Sequence, residues 1–162
     1  MPKQRDLFII VAVLLALAGC QPFETTHPAW LPDLTLTPGQ VTPGWTIADT
    51  EAAGGTQGHR HVSHSLKEQV WERYGYNKTI GPYDEHSREY EIDHLIPNFL
   101  GGASTLENLW PEPYSGPWNA HIKDHLEMHV RSKVLNRSIT LKEAQKCFTP
   151  DWIETYKTEG LH

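Results

Sequence analysis

The spacing of apolar positions changes along the chain, and each spacing predicts an element. Residues 7–17 form an almost unbroken apolar run, too short to span a bilayer comfortably. From residue 21 to about 58, Pro22, Pro28, Pro32, Pro38 and Pro43 preclude a long helix and Gly54-Gly55 loosens the end, the signature of a tether. Trp30, Leu31, Leu34, Leu36, Trp45 and Ile47 are more apolar than a spacer needs, so part of it is expected to dock on the domain. Leu66, Val70, Trp71 and Tyr74 then recur at helical spacing, opened by a Ser65/Glu68 capping-box pattern and stopped by Gly75. Tyr90, Ile92, Leu95 and Ile96 predict a short strand ended by Pro97, Gly101-Gly102 a turn, and residues 106–110 the returning strand. Trp118, Ile122, Leu126, Val130 and Val134 stand four apart, predicting a helix from near Ser115 or Pro117 to about Leu135. A second capping-box pattern, Thr140 with Glu143, starts a short helix, and Thr149-Pro150 a last one carrying Trp152, Ile153 and Tyr156. The sum is an α+β domain, a small hairpin with helices, and 162 residues without internal repeat suit one core.

The ends and the charge change this picture. Lys3 and Arg5 before the apolar run, and small residues after it, read as an export signal. Without the first nineteen residues the chain has a net charge of −7, which disfavours strong nonspecific attraction to a polyanion. If nucleic acid is the substrate, local groups and a cation must hold it. Once the signal is removed, Cys20 and Cys147 are the only cysteines. If Cys20 is acylated no internal disulfide can form, and stability falls to packing and metal.

Leu17-Ala18-Gly19-Cys20 closes the apolar run and resembles the lipobox of bacterial lipoproteins. The resemblance implies cleavage before Cys20 and its diacylglyceryl modification, which holds the protein at a membrane surface because each buried methylene contributes about 0.8 kcal/mol. Gln21 follows; by resemblance to enterobacterial lipoproteins, in which aspartate there retains the protein in the inner membrane, it points to the outer membrane of an envelope that has one. The expected organisation is a signal peptide over 1–19, a lipidated tether over 20–58 and a domain over 59–162.

Between residues 91 and 124 the polar side chains suit phosphodiester cleavage. Glu91-Ile92-Asp93-His94-Leu95-Ile96-Pro97, Leu100-Gly101-Gly102, Glu107-Asn108-Leu109-Trp110-Pro111 and Trp118-Asn119-Ala120 with Lys123 and Asp124 together resemble the HNH endonuclease family, whose core is a ββα-metal hairpin and helix. The likeness covers roughly residues 91–134. It implies catalytic places for His94 and Asn108, His94 as general base, and metal ligands at Asp93 and Asn119. Products with 5′-phosphate and 3′-hydroxyl ends follow from the same likeness. The chemistry of the residues agrees. An imidazole of ordinary pKa about 6.5 is largely neutral near pH 7 and can take a proton from water, and a carboxylate with a carboxamide oxygen suits magnesium, with manganese, nickel or zinc as alternatives. Asn108 reads as a geometric element whose amide bridges the hairpin and aims the ring of His94. Lys123 lies one turn after Asn119 and reads equally as a phosphate contact or as a solvated lysine paired with an acid. In the family's histidine-rich branch this position is a metal ligand, so the lysine favours a two-ligand magnesium site.

Other residues keep other readings open. His121, His125 and His129 stand four apart, a spacing able to bind zinc, but two residues turn a helix by about 200° and direct His121 away from Asn119. His59, Arg60, His61 and His64 precede the first helix; they read as an exposed polar loop, with Arg60 the best further phosphate contact. Trp71, Trp118 and Trp152 occupy core spacings rather than stacking platforms. The function expected is a membrane-tethered nuclease acting on nucleic acid, DNA before RNA. The rivals are a catalytically silent envelope lipoprotein of the same fold and a zinc-binding envelope protein.

Overall fold

Three helices close over a two-stranded hairpin, and the leading segment wraps both. The computed structural model describes residues 30–54, 62–76 and 89–162; the export signal, Cys20 and the Arg60 loop lie outside them. The elements are α1 (Ile47–Ala52), α2 (His64–Arg73), β1 (Tyr90–His94), a 3₁₀ turn (Asn98–Leu100), β2 (Leu109–Pro113), α3 (Ala120–Leu135), α4 (Leu141–Lys146) and α5 (Trp152–Thr158). This is the expected mixture of helix and a small antiparallel sheet. Among the described residues no helix is long and apolar enough to cross a membrane.

β1 pairs antiparallel with β2, with Asp93 opposite Trp110 and His94 opposite Leu109. The second strand lies three residues later than its apolar pattern predicts, and runs through Pro111 and Pro113. The physical reason is register. Leu95 N–H donates to the Asn108 carbonyl and Tyr114 N–H to the Glu89 carbonyl, so the ladder falls on even-numbered residues of this strand. The prolines occupy the alternate positions, where a missing N–H costs no ladder bond.

α3 carries the core. Leu126, Val130 and Val134 are fully buried and meet Trp110 of the hairpin, Phe148, and Trp152 and Tyr156 of α5. The helix begins at Ala120, later than Ser115 or Pro117. Gly116 has a left-handed φ of 103°, and the first free amides find their acceptor only at Asn119, whose Oδ1 takes the Ile122 N–H at 3.2 Å. α2 likewise starts at His64 because Ser63, rather than Ser65, accepts the Leu66 N–H. The Thr140/Glu143 capping box forms as the sequence predicts.

Part of the segment before residue 59 docks on the domain, as its apolar residues predict. Trp30, Leu31, Trp45 and Ile47 pack on the core. Thr37 is fully buried and donates through Oγ1 to the Leu109 carbonyl at 3.0 Å. Gly39 N–H donates to Glu107, Thr42 N–H to Gly101 and Ala103 N–H to Gln40. α1 follows, opened by a Thr46/Asp49 capping box. A proline-rich composition excludes a long helix, yet it leaves the chain free to lie as an extended strap along the loop that follows β1.

Candidate functional site

Residues 95–108 connect the two strands, and Asn108 determines their shape. Its side chain is fully buried. Oδ1 accepts the Ile96 N–H at 3.0 Å, while Nδ2 donates to the Ile96 carbonyl at 3.0 Å and to the Ala103 carbonyl at 3.1 Å. Three of the four bonds that a carboxamide can make are thus given to the backbone on either side of the loop. The clamp works only over a glycine: a Cβ on Gly102 would stand 1.7 Å from the Ile96 carbonyl oxygen and 2.8 Å from Asn108 Nδ2.

The loop leads back to His94, the last residue of β1, which is only 5% exposed. Its Nε2 lies 3.0 Å from Ser104 Oγ. Ser104 carries no motif that would single it out in the sequence; its neighbours in the clamped loop are what bring it to the ring.

Asp93, one residue earlier on the strand, turns to α3 instead, as strand alternation requires. Its Oδ2 accepts a bond of 2.7 Å from Lys123 Nζ. Lys123 therefore does not reach a phosphate or solvent: it is 1% exposed. Its ammonium also donates to the His94 carbonyl at 2.8 Å and to Glu127 Oε1 at 2.6 Å, and stands 3.5 Å from Glu112 Oε2. All three protons have acceptors. Lys123 and Glu127, one turn apart, occupy a buried polar stripe on α3. One ammonium thus faces three carboxyl groups, and burying all of them ionised would be costly.

Protonation resolves the excess. Burial pushes the Glu112 carboxyl well above its ordinary range, further than Lys123 pulls it down. Neither of its oxygens has a hydrogen-bond partner among the described residues, so burial favours the neutral acid. Burial also pushes Glu127 up, to about 7, against the pull of Lys123. For Asp93 burial is outweighed by the charges of Lys123 and His94, which hold it down at about 2. Burial works against the charge on Lys123, but the three acids overcome it and raise its pKa well above the ordinary lysine value. Asp93 is thus a firmly ionised carboxylate within electrostatic reach of the imidazole.

Asn119 sits at the head of the same helix turn, its carbonyl accepting the Lys123 N–H. Besides capping Ile122, its Nδ2 donates to the Gly116 carbonyl at 2.9 Å. Asp93 and Asn119 are therefore both tied to the first turns of α3, and the ring of His94 is tied to the loop. On the far side of α3 His121 and His125 are exposed, whereas His129 Nε2 bonds Glu159 at 2.9 Å. Among the described residues no group of three or more His, Cys, Asp and Glu is arranged to hold a metal ion. His64, the first residue of α2, pairs with Glu68 at 3.5 Å.

Comparison of this chain with protein-family models, with curated proteins and with solved structures gave no match in any of the three.

Proposed function

We propose that the chain is a membrane-tethered, metal-dependent endonuclease of the HNH type. Its substrate would be DNA, with RNA second, cut with little sequence specificity because no separate reading element is evident among the described residues. One observation carries the reading: a nearly buried histidine ends β1 opposite an asparagine-clamped loop, beside a carboxylate that stays ionised. A general base needs this combination of a fixed ring and a neighbouring negative charge to stabilise the imidazolium it becomes.

A divalent cation, magnesium foremost, would be held by Asp93 and Asn119. The donors suit it. Asp93 is ionised, its side chain is 15% exposed, and Lys123 holds only Oδ2; Asn119 Oδ1 accepts one hydrogen bond and keeps a second lone pair. Bound there, the ion supplies Lewis-acid stabilisation of the charge on phosphate. His94 takes a proton from water, whose oxygen forms the new bond to phosphorus. The bond to the 3′-oxygen breaks, and that oxygen leaves as a hydroxyl after taking a proton from solvent. Asn108 acts through geometry, keeping residues 96 and 103 in place. Among the described cations Arg73 pairs with Glu107, Lys133 with Glu159 and Arg137 with Glu51.

Plasmid nicking by the full chain with magnesium, manganese, nickel or zinc, beside His94→Ala, tests this. Activity in the wild type and its loss in the variant is the expected result; equal activity in both removes the enzyme reading. The silent-lipoprotein reading draws support from Lys123, which already engages Asp93 Oδ2, and predicts no nicking with any metal. For the zinc-binding reading, retained zinc that disappears in a His121/His125 double variant is the sign. The anchor is proposed on Cys20: Cys20→Ser should abolish lipid labelling, and unchanged processing would refute it.

A further inference from the structure

Arg131 of α3 is held unlike the other arginines among the described residues. Arg73 and Arg137 each meet a carboxylate, at 3.4 and 2.7 Å. Among the described residues no acid pairs with the Arg131 guanidinium, and its Nε is sealed from solvent without a hydrogen-bond partner. A charged donor buried in this way costs stability and calls for an explanation. What holds the group is an aromatic face: its Cζ stands 5.8 Å from the centroid of the Phe99 ring, which is 2% exposed. Arg131 as a whole is partly exposed, and Nε alone of its side-chain nitrogens is sealed, so the two terminal nitrogens open to the surface. Arg131 follows Asn119, Lys123 and Glu127 at intervals of four, and each interval carries the row about 40° round the helix axis. Lys123 meets Asp93 of the hairpin, whereas Arg131 has turned to the 3₁₀ turn Asn98–Leu100. That turn belongs to the connection which Asn108 clamps and which brings Ser104 to His94.

We propose that Arg131 is a phosphate contact for the backbone of DNA, donating from its two terminal nitrogens to the non-bridging oxygens of one phosphate. The inference deepens the nuclease reading and rests on it for the identity of the anion. Three features carry it. The guanidinium has the planar fork that suits a phosphate, no internal carboxylate competes for it, and the Phe99 ring fixes its plane before any ligand arrives. The distance is suitable as well: twelve residues of helix place Arg131 about 18 Å along the axis from Asn119, a span that a duplex covers in about five base steps. A contact of this kind holds the strand without reading bases, which agrees with cleavage of low sequence specificity. It also gives a chain of net charge −7 beyond residue 19 the local cation that a polyanion requires.

The test uses the full-length chain as wild type, Arg131→Gln, Arg131→Lys and, as a control that removes a cation from exposed Lys142 of α4, Lys142→Gln. Binding of a labelled DNA duplex is followed by fluorescence anisotropy in EDTA, over a series of salt concentrations, so that no cleavage is needed. Arg131→Gln should weaken binding about tenfold for every duplex sequence and make the slope of log Kd against log salt shallower by about 0.9, the release of one phosphate's counterion. Arg131→Lys keeps the charge and should keep the slope while losing part of the affinity; it also serves if the glutamine variant does not fold, since unchanged affinity in the lysine variant speaks against a forked contact. Lys142→Gln should leave the slope as it is. An unchanged slope in Arg131→Gln, an equal change in Lys142→Gln, or a wild type that binds no duplex at low salt overturns the assignment. A slope that depends on Arg131 in a protein that never nicks DNA keeps the phosphate contact and refutes the nuclease reading alone.

Discussion

Replacing Lys123 with methionine removes the one cation from a buried set of three acids and should be the most damaging single change in the hairpin-helix unit. The side chain is 1% exposed, and its ammonium bonds Asp93, Glu127 and the His94 carbonyl at 2.7, 2.6 and 2.8 Å. Breaking one partner out of a buried ion pair costs about 3–5 kcal/mol, and leaving the carbonyl of His94 without a donor about 1–3 kcal/mol more. The freed acids reduce this by taking up protons, at about 1.4 kcal/mol per pH unit above the ordinary pKa of each acid. At pH 7 the net loss should be about 4–6 kcal/mol, much of the 5–15 kcal/mol that holds a typical domain together. The loss should shrink on acidification, because below the acids' ordinary pKa range protonation is nearly free. Lys123→Met combined with Glu127→Leu removes an acid with the cation and should recover about half the loss. Urea unfolding followed by circular dichroism at pH 5 and pH 7 measures all three proteins. A Lys123→Met loss below about 1 kcal/mol, or one independent of pH, would mean that the ammonium is not the centre of this cluster.

Asn108→Ala leaves the Ile96 N–H and the Ile96 and Ala103 carbonyls without their partner, so a destabilisation of about 3 kcal/mol is expected in the same assay. Nicking should fall 10- to 100-fold as the loop loosens, roughly the cost of losing an orienting contact. Glu127 has a folded pKa raised from an ordinary 4.5 to about 7, so the folded state binds the extra proton. The stability it contributes is present below pH 4.5 and is lost as pH rises toward 7. The unfolding free energy of wild type should therefore fall between pH 5 and 7 relative to Glu127→Gln, and parallel profiles would refute the shift. Asp93, held at about 2 against an ordinary 3.8, has the opposite sign. Its contribution is present above pH 3.8 and disappears as pH falls toward 2, so Asp93→Asn should flatten the acid limb of the stability profile.

The sequence makes the helices legible where side chains cap them. Thr140 and Glu143 name their helix because both partners are local, and the stripe of Leu126, Val130 and Val134 identifies the buried face of α3. Lys123 eludes the same logic: it is a charged residue beside an apolar stripe, and its burial depends on Asp93 and Glu112, which approach from a hairpin remote in sequence. The docking of residues 30–54 is legible in Trp30, Leu31, Trp45 and Ile47, but its path is not, because bonds such as those of Gly39, Thr42 and Gln40 run from backbone to backbone and composition does not encode them. Asn108 is legible as a bridge because few residue types can bond three backbone groups at once, whereas Ser104 becomes visible only when its loop is folded.

The strap also governs how the chain can be shortened. A fragment beginning at residue 59 would lose the acceptor for the Ala103 amide, the donor to the Leu109 carbonyl and the indole of Trp45 that lies against Gly101. The leading segment and the hairpin are then one cooperative unit, and the amide of Ala103 should exchange with deuterium only through whole-domain opening.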